Sequence, residues 1–240
     1  MADAIDPQLR SHAPSEHADL QADGRPGSVL VLVAHPQMEQ SRVNRSLMLA
    51  AGRSGAPDGD AARAPSRRTQ GRVEVRDLYA LYPDYLIDVD AERAALERAS
   101  LVVWQHPIHW YGMPPLMKLW ADEVLGFGWA YGPGGQALRG KALWLVVSTG
   151  GPEESYHPRS YNRYAFDAFL PPYEQTAALC GMRWLPPLVI HGAHRLEAGE
   201  LQADARLYGS RLASWPDWPE LEGEPDCVAC EVPDHARPAA

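Results

Sequence analysis

Apolar residues along this chain gather into a few short, continuous runs separated by longer stretches of mixed pattern. Ser28 to Ala34 reads SVLVLVA, Leu101 to Trp104 reads LVVW, and Lys141 to Ser148 reads KALWLVVS. Runs this uniform are expected of strands covered on both faces, as in a parallel sheet between two helix layers. Two further strand candidates differ. Arg72 to Arg76, RVEVR, alternates polar and apolar, the pattern of a half-exposed edge. Trp184 to His191, WLPPLVIH, carries two prolines that a central ladder position cannot take. Both therefore belong at the rims of the sheet.

Helical spacing fills the intervals. The segment RVNRSLMLAAG from Arg42 turns Val43, Leu47 and Ala50 inward, with Ser41 as its N-cap and Gly52 near its end. Asp90 to Ala99 is a short helix with Asp90 as candidate cap. Met113 to Leu125 is helical from about Leu116, with Leu116, Leu119 and Trp120 on one face. Phe166 to Cys180 is a helix stopped by Gly181, in which Pro171-Pro172 marks a start or a kink. Glu200 to Trp215, with Leu201, Ala205, Tyr208 and Leu212 at helical spacing, closes the fold. Strands alternating with helices predict an α/β, doubly wound fold of three layers, α/β/α. Its five-stranded parallel sheet is expected in the order 2-1-3-4-5, with the switch point between the first and third strands.

Outside this pattern lie three polar stretches. Residues 1–27 have no apolar core segment; they read as a disordered leader and not as a secretory signal. Residues 53–70 read as an inserted surface loop, with Arg67-Arg68 a solvated charge pair. Residues 216–240 read as a flexible acidic tail. That leaves one domain over 28–215.

Composition narrows the classes. The net charge is −9, from 31 acidic against 22 basic residues, which argues against a general nucleic-acid binder. No apolar run is long enough to span a bilayer. Three cysteines make no disulfide framework, and a reducing cytoplasm is expected. Cys227-x-x-Cys230 has redox or zinc spacing but lacks a second pair and a βαβ context, so it reads as an accident of the tail. His35-Pro36 and His106-Pro107 sit on separate loops without a carboxylate partner motif, and no metal is expected. Ser148 stands in no GxSxG elbow, which removes a hydrolase triad.

The chemistry is expected beyond the carboxyl ends of the strands, where ligands bind in open α/β sheets. After the first strand, a polar loop from His35 runs into Ser41, Arg42, Val43 and Asn44 at a helix N-terminus. That geometry offers free N–H groups and a positive dipole end to a phosphate, although neither GxGxxG nor a P-loop is present. After the third strand, Ile108, His109, Trp110 and Tyr111 lie between prolines and form a flat apolar surface with polar edges. Isolated aromatics in loops more often serve packing than binding; here the neighbouring loops favour a planar ring. After the fourth strand, Ser148, Thr149, Gly150 and Gly151 put hydroxyls and unhindered N–H groups at the same edge. The glycine-rich stretch from Gly126 to Gly140 reads as a structural or site-lining loop. We read the ring as a flavin.

Five stretches carry a family resemblance: LVLVAHPQMEQSRVN, DLYALYPDYLIDVDAE, LVVWQHPIHWYGMPPLMKLWADEV, GWAYGPGGQALRGKAL and VSTGG. In that order they resemble the flavodoxin-like NAD(P)H:quinone oxidoreductases, most of all the ancillary subunits of glutathione-regulated potassium-efflux systems. The resemblance covers roughly residues 28–215. It implies FMN, with FAD the family's other choice, and NAD(P)H as electron donor. It places the flavin phosphate at His35, Ser41, Arg42, Val43 and Asn44, and the ring against Ile108, His109, Trp110 and Tyr111. Ser148, Thr149, Gly150 and Gly151 would hold the pyrimidine edge. It implies two-electron, ping-pong reduction of a quinone, and a homodimer with the site at its interface. The family often places Tyr and His near the substrate; here Tyr156 and His157 are adjacent, and either could serve the quinone oxygen. Three alternatives stand beside the enzyme. One is a regulatory ancillary subunit of a potassium-efflux antiporter, held peripherally at the inner face of the cell membrane. Another is a single-electron flavodoxin. The third, an azo- or nitroreductase, shares the mechanism.

Overall fold

A computed structural model describes residues 27–54 and 73–218. Five strands form one wholly parallel sheet in the order β2-β1-β3-β4-β5, as the run pattern predicts. The strands are β1 (Val29–Val33), β2 (Val73–Asp77), β3 (Leu101–Pro107), β4 (Ala142–Ser148) and β5 (Arg183–Ile190). The helices are α1 (Arg42–Ser54), α2 (Leu78–Leu81), α3 (Val89–Arg98), α4 (Pro115–Val124), α5 (Pro171–Leu179) and α6 (Ala198–Ser214). β1, β3 and β4 are buried along their whole length. Successive side chains of a strand point to opposite faces, so each of these strands feeds two cores. Leu30, Leu32, Val102, Trp104, Leu143 and Leu145 join α3, α4 and α5 on one side. Val31, Val33, Val103, Trp144 and Val146 join α1 and α6 on the other.

Several boundaries differ from the sequence expectation, each for a local reason. The predicted helix from Phe166 to Cys180 is two elements, a 3-10 turn over Phe166–Phe169 and then α5. Pro171 and Pro172 have no N–H to continue a ladder but suit the first turn, where that donor has no partner anyway. The cap of α3 is Asp88, whose side chain accepts from the Ala91 N–H at 3.0 Å; Asp90 lies inside the first turn, where its charge suits the helix dipole. α1 runs on through Arg53 and Ser54, two residues into the stretch that composition predicts as a loop. Leu78 to Leu81 form a helical turn capped by Asp77, which the pattern of apolar runs does not mark. At β5 the prolines coincide with a register shift between Trp144 and Val146, which an edge strand tolerates. Trp218, placed in the tail by its acidic surroundings, is 4% exposed with its ring 4.9 Å from that of Trp144. The leader through residue 26, Arg67-Arg68, Arg72 and the Cys227/Cys230 pair lie outside the described residues. No helix among the described residues is long and apolar enough to cross a membrane.

Two buried polar features hold the α2–α5 layer. Glu92 is fully buried; its Oε1 accepts from Arg76 and Tyr82, and its Oε2 accepts from Trp120 Nε1 at 2.9 Å. One carboxylate thereby ties β2, α2, α3 and α4 together. His106, also fully buried, has its Nδ1 3.0 Å from the Pro107 carbonyl. A carbonyl only accepts, so Nδ1 carries the proton.

Replacing Glu92 by Ala leaves the buried Arg76 guanidinium with Glu74 as its remaining carboxylate and the Trp120 N–H without its acceptor, and urea unfolding should register a loss of about 3–5 kcal/mol. His106 yields a pH dependence. Desolvation pushes its pKa from 6.5 down to about 4, so below pH 6.5 the unfolded chain binds a proton that the folded one refuses. Its contribution is complete above pH 6.5 and is lost as pH falls toward 4. Denaturation at pH 7.5 and pH 5 should differ by about 2 kcal/mol more in the native protein than in His106→Asn, which keeps an N–H for the Pro107 carbonyl.

Candidate functional site

Because all strands run the same way, the loops after β1, β3, β4 and β5 emerge at one edge of the sheet. Direct contacts then draw them together. The Asn44 backbone N–H donates to Ser41 Oγ at 3.1 Å, so Ser41 caps α1. Asn44 Nδ2 donates to Ser148 Oγ at the end of β4, 2.9 Å away, and Gln105 Nε2 of β3 donates to the Asn44 carbonyl at 2.9 Å. The Ile108 N–H donates to the Ser148 carbonyl at 2.8 Å. The rings of His35 and His109 stand edge to face, 6.1 Å apart. Residues named from three separate sequence stretches thus form one crevice.

Each side of the crevice has its own chemistry. At the α1 N-terminus the Arg42 and Val43 N–H groups precede the intrahelical ladder, and the first turn holds no acid. That end can take an anion. Val43 and Asn44 are buried, whereas Arg42 faces outward and gives its guanidinium to the Leu196 carbonyl at 3.1 Å. His35 is half-buried, and its Nδ1 accepts from the Gln37 N–H at 3.0 Å. Desolvation, and then the neighbouring His109, lower its pKa; desolvation alone lowers that of His109. Both imidazoles are therefore biased toward the neutral form until an anion arrives.

Across from this end, His109 and Gly112 exchange backbone hydrogen bonds of 3.0 and 3.1 Å, closing a tight turn. Trp110 and Tyr111 occupy its tip with φ of 49° and 66°, the left-handed region that side-chain-bearing residues rarely enter. Trp110 is 95% exposed. Tyr111 stacks on Phe169 at 5.1 Å, and its hydroxyl donates to Asn162 Oδ1 at 3.3 Å. The turn presents a flat aromatic face next to hydrogen-bonding edges.

The loop after β4 supplies the third side. Thr149 is buried and Gly150 is exposed. The Thr149 hydroxyl donates to the Gly151 carbonyl at 2.8 Å and lies 3.0 Å from His191 Nδ1. Tyr156 and His157, equivalent in the sequence, are separated by the fold. The Tyr156 ring meets His191, Phe166 and Phe169 at 5.3, 5.3 and 6.1 Å. His157 is exposed, and its Nδ1 accepts from the Arg159 N–H at 3.2 Å within its own turn. Burial raises the Tyr156 phenol pKa, and the Thr149 side chain opposes that rise. The crevice also contains residues that the sequence reading passed over. Asn162 lies in a loop without periodicity, and His191 reads in the sequence as the end of an edge strand. The rule that ligands gather past strand ends would have flagged His191.

A model of the flavodoxin-like fold family matches residues 27–212. This chain belongs to that family. The flavodoxin-like chain is 44% identical over 189 residues to the glutathione-regulated potassium-efflux system ancillary protein KefF of Klebsiella aerogenes, covering 79% of this chain and 97% of that one. Among solved structures, general stress protein 14 of Treponema denticola in complex with FMN is 36% identical, with a TM-score of 0.67 over 78% of this chain and 98% of the other. A putative quinone reductase of Klebsiella pneumoniae is 27% identical, with a TM-score of 0.61 over 79% and 85%.

The closeness of the loop after β4 gives a test of the crevice walls. A Cβ on Gly151 would lie 2.6 Å from Ser155 Oγ and 2.7 Å from Tyr161 Oη. Ser155 Oγ has little room to give, since it donates to the Pro152 carbonyl and accepts from Asn162 Nδ2. Gly151→Ala should cost about 1–3 kcal/mol in urea unfolding. Gly150→Ala meets only His194 at an ordinary 3.5 Å and should fall within about 0.5 kcal/mol of the native protein.

Proposed function

We propose that this chain is an FMN-dependent NAD(P)H:quinone oxidoreductase. The observation that carries the reading is the convergence of an uncluttered helix N-terminus, an exposed aromatic face and a small-residue loop on one crevice. A phosphate-tailed, planar, hydrogen-bonding cofactor matches those three surfaces in chemistry. The α1 N–H groups of Arg42 and Val43, with Ser41 and His35 beside them, would hold the phosphate. Ile108, His109, Trp110 and Tyr111 would cover the ring, and Thr149, Gly150 and Gly151 would meet its polar edge. The FMN complex of the 36% identical relative and the quinone reductase at 27% support the choice of cofactor and acceptor class.

Bound FMN supplies two-electron hydride chemistry between a reduced nicotinamide and a quinone. The chain's own residues orient both partners and manage protons. Trp110 and Tyr111 screen one side of the ring from water. The Gly150 and Gly151 N–H groups favour negative charge at the polar edge. Tyr156, walled in by Phe166 and Phe169, offers its O–H to the quinone oxygen. His157, facing solvent, takes no part in this scheme.

A second reading follows from the 44% identity to a potassium-efflux ancillary protein: regulation of an antiporter, with the redox site as its sensor. Capture of an antiporter from membranes by the tagged protein would support it.

The primary reading is tested by gel-filtering the purified protein with FMN and assaying NADPH oxidation with a benzoquinone. Flavin should stay bound, and turnover should depend on the quinone. Tyr156→Phe should retain flavin while turnover falls on the order of 100-fold. No flavin retention and no turnover with FMN or FAD would end the proposal.

A further inference from the structure

A chain of side-chain hydrogen bonds ties the turn carrying Trp110 and Tyr111 to the loop after β4, and it can run in one direction only. The Ser155 hydroxyl donates its single hydrogen to the Pro152 carbonyl at 2.6 Å. Its oxygen can therefore only accept from Asn162 Nδ2, 2.9 Å away. That fixes the Asn162 amide with its nitrogen toward Ser155 and its oxygen toward Tyr111, whose hydroxyl donates to it at 3.3 Å. Ser155 and Asn162 are both buried. The Asn162 backbone is held as well, since its carbonyl accepts from the Tyr164 N–H at 2.8 Å. The neighbouring Gly151 is fastened in turn: its carbonyl accepts from the Gly192 N–H at 2.9 Å and from the Thr149 hydroxyl at 2.8 Å. A firmly anchored chain thus ends on a strained turn. Trp110 and Tyr111 hold φ of 49° and 66°, a conformation that such residues leave when nothing retains them. The stack of Tyr111 on Phe169, 5.1 Å and 23° apart, sets the plane of the tyrosine ring. The bond to Asn162 sets where in that plane its hydroxyl sits.

We propose that Asn162 is a positioning residue for the flavin: it holds the Trp110–Tyr111 turn in its ring-covering shape before the cofactor arrives. The inference rests on the reading of that turn as the flavin cover and adds the group that sets its shape in advance. Asn162 spends its amide on Tyr111 and Ser155, so it acts on the cofactor through Tyr111. A ligand that needs one shape of a turn binds more weakly in proportion to the time the turn spends in other shapes. Releasing the clamp lowers the share of molecules ready to receive the ring. The contacts of the finished complex stay the same, so the loss falls on association and not on release. A neutral hydrogen bond of this kind accounts for a change of about fivefold.

Two variants break the same bond from opposite sides. Asn162→Leu removes both ends of the amide at similar size, and Tyr111→Phe removes the hydroxyl while keeping the ring and its stack. In the flavin-free protein, hydrogen exchange of the His109 and Gly112 amides, read by NMR, should quicken about fivefold in each variant, with the amides of β3 and β4 at native rates. Native exchange at His109 and Gly112 in both variants overturns the clamp whatever the protein binds. If Asn162→Leu also loosens β3 and β4, it has lost more than the clamp, and Tyr111→Phe decides alone. In FMN titrations the dissociation constant should rise about fivefold in each single variant and no further in the double variant, and stopped flow should place the change in the association rate. Losses that add in the double variant, or that lie in the dissociation rate, show the two residues acting separately and overturn the proposal. A native protein that retains neither FMN nor FAD removes the cofactor reading and this role with it. A native protein that retains FMN, with both variants binding it equally well, removes the role of Asn162 alone.

Discussion

Asn44 Nδ2 and Ser148 Oγ meet at 2.9 Å beneath the crevice, both residues shut away from solvent. The bond links the first turn of α1 to the last residue of β4, over the end of β3. Gln105 completes the link by donating to the Asn44 carbonyl. In a parallel sheet the register between neighbours follows from the apolar pattern and the connections, and neither says where a helix after β1 should begin relative to β4. This side-chain contact does. It costs desolvation of several polar groups, and Asn44 Oδ1 and Gln105 Oε1 are left buried without a partner. Such groups are tolerated where position matters more than stability. Here they sit under the place where the loops converge.

The aromatic turn shows the same exchange of stability for placement. Left-handed φ at both Trp110 and Tyr111 costs of order 1–3 kcal/mol per residue, and a tryptophan 95% exposed recovers none of it through burial. The strain is sustained by the paired His109–Gly112 backbone bonds, the Tyr111–Phe169 stack and the Asn162 clamp. Glycine would relieve the strain but remove the ring. The turn keeps its large side chains in a conformation they resist, which is understandable if the rings themselves are what the turn exists to present.

The sheet order was legible in the sequence because each strand advertised its environment. Uniform apolar runs at β1, β3 and β4 require cover on both faces, while alternation at β2 and prolines at β5 exclude them from the centre. The loops were legible as far as they follow a strand directly. Beyond that, the letters lost resolution for physical reasons. Asp88 and Asp90 are equally good caps by composition, and only the non-helical backbone at Asp88 decides between them. Tyr156 and His157 differ by one position, and a 3-10 turn over Glu153–Ser155 determines which one faces inward. Asn162 and His191 act through contacts with residues near in space but separate in sequence, and no periodic pattern marks such contacts.

The aromatic cluster joins these separate loops into one mechanical unit. Phe169 stacks on Tyr111 and meets Tyr156 edge-on; Phe166 meets both Tyr156 and His191 edge-on. Edge-to-face and stacked pairs have shallow but directional minima, so a shift in one ring is felt by its neighbours. The surface proposed to cover the cofactor and the side chain proposed to deliver the proton therefore share Phe169 as a common support. The turn at Trp110 reaches Tyr156 through the Tyr111–Phe169 stack. A ligand seated on that turn would, by the same contacts, bear on the side chain proposed as proton donor, so the two proposed roles would share one support.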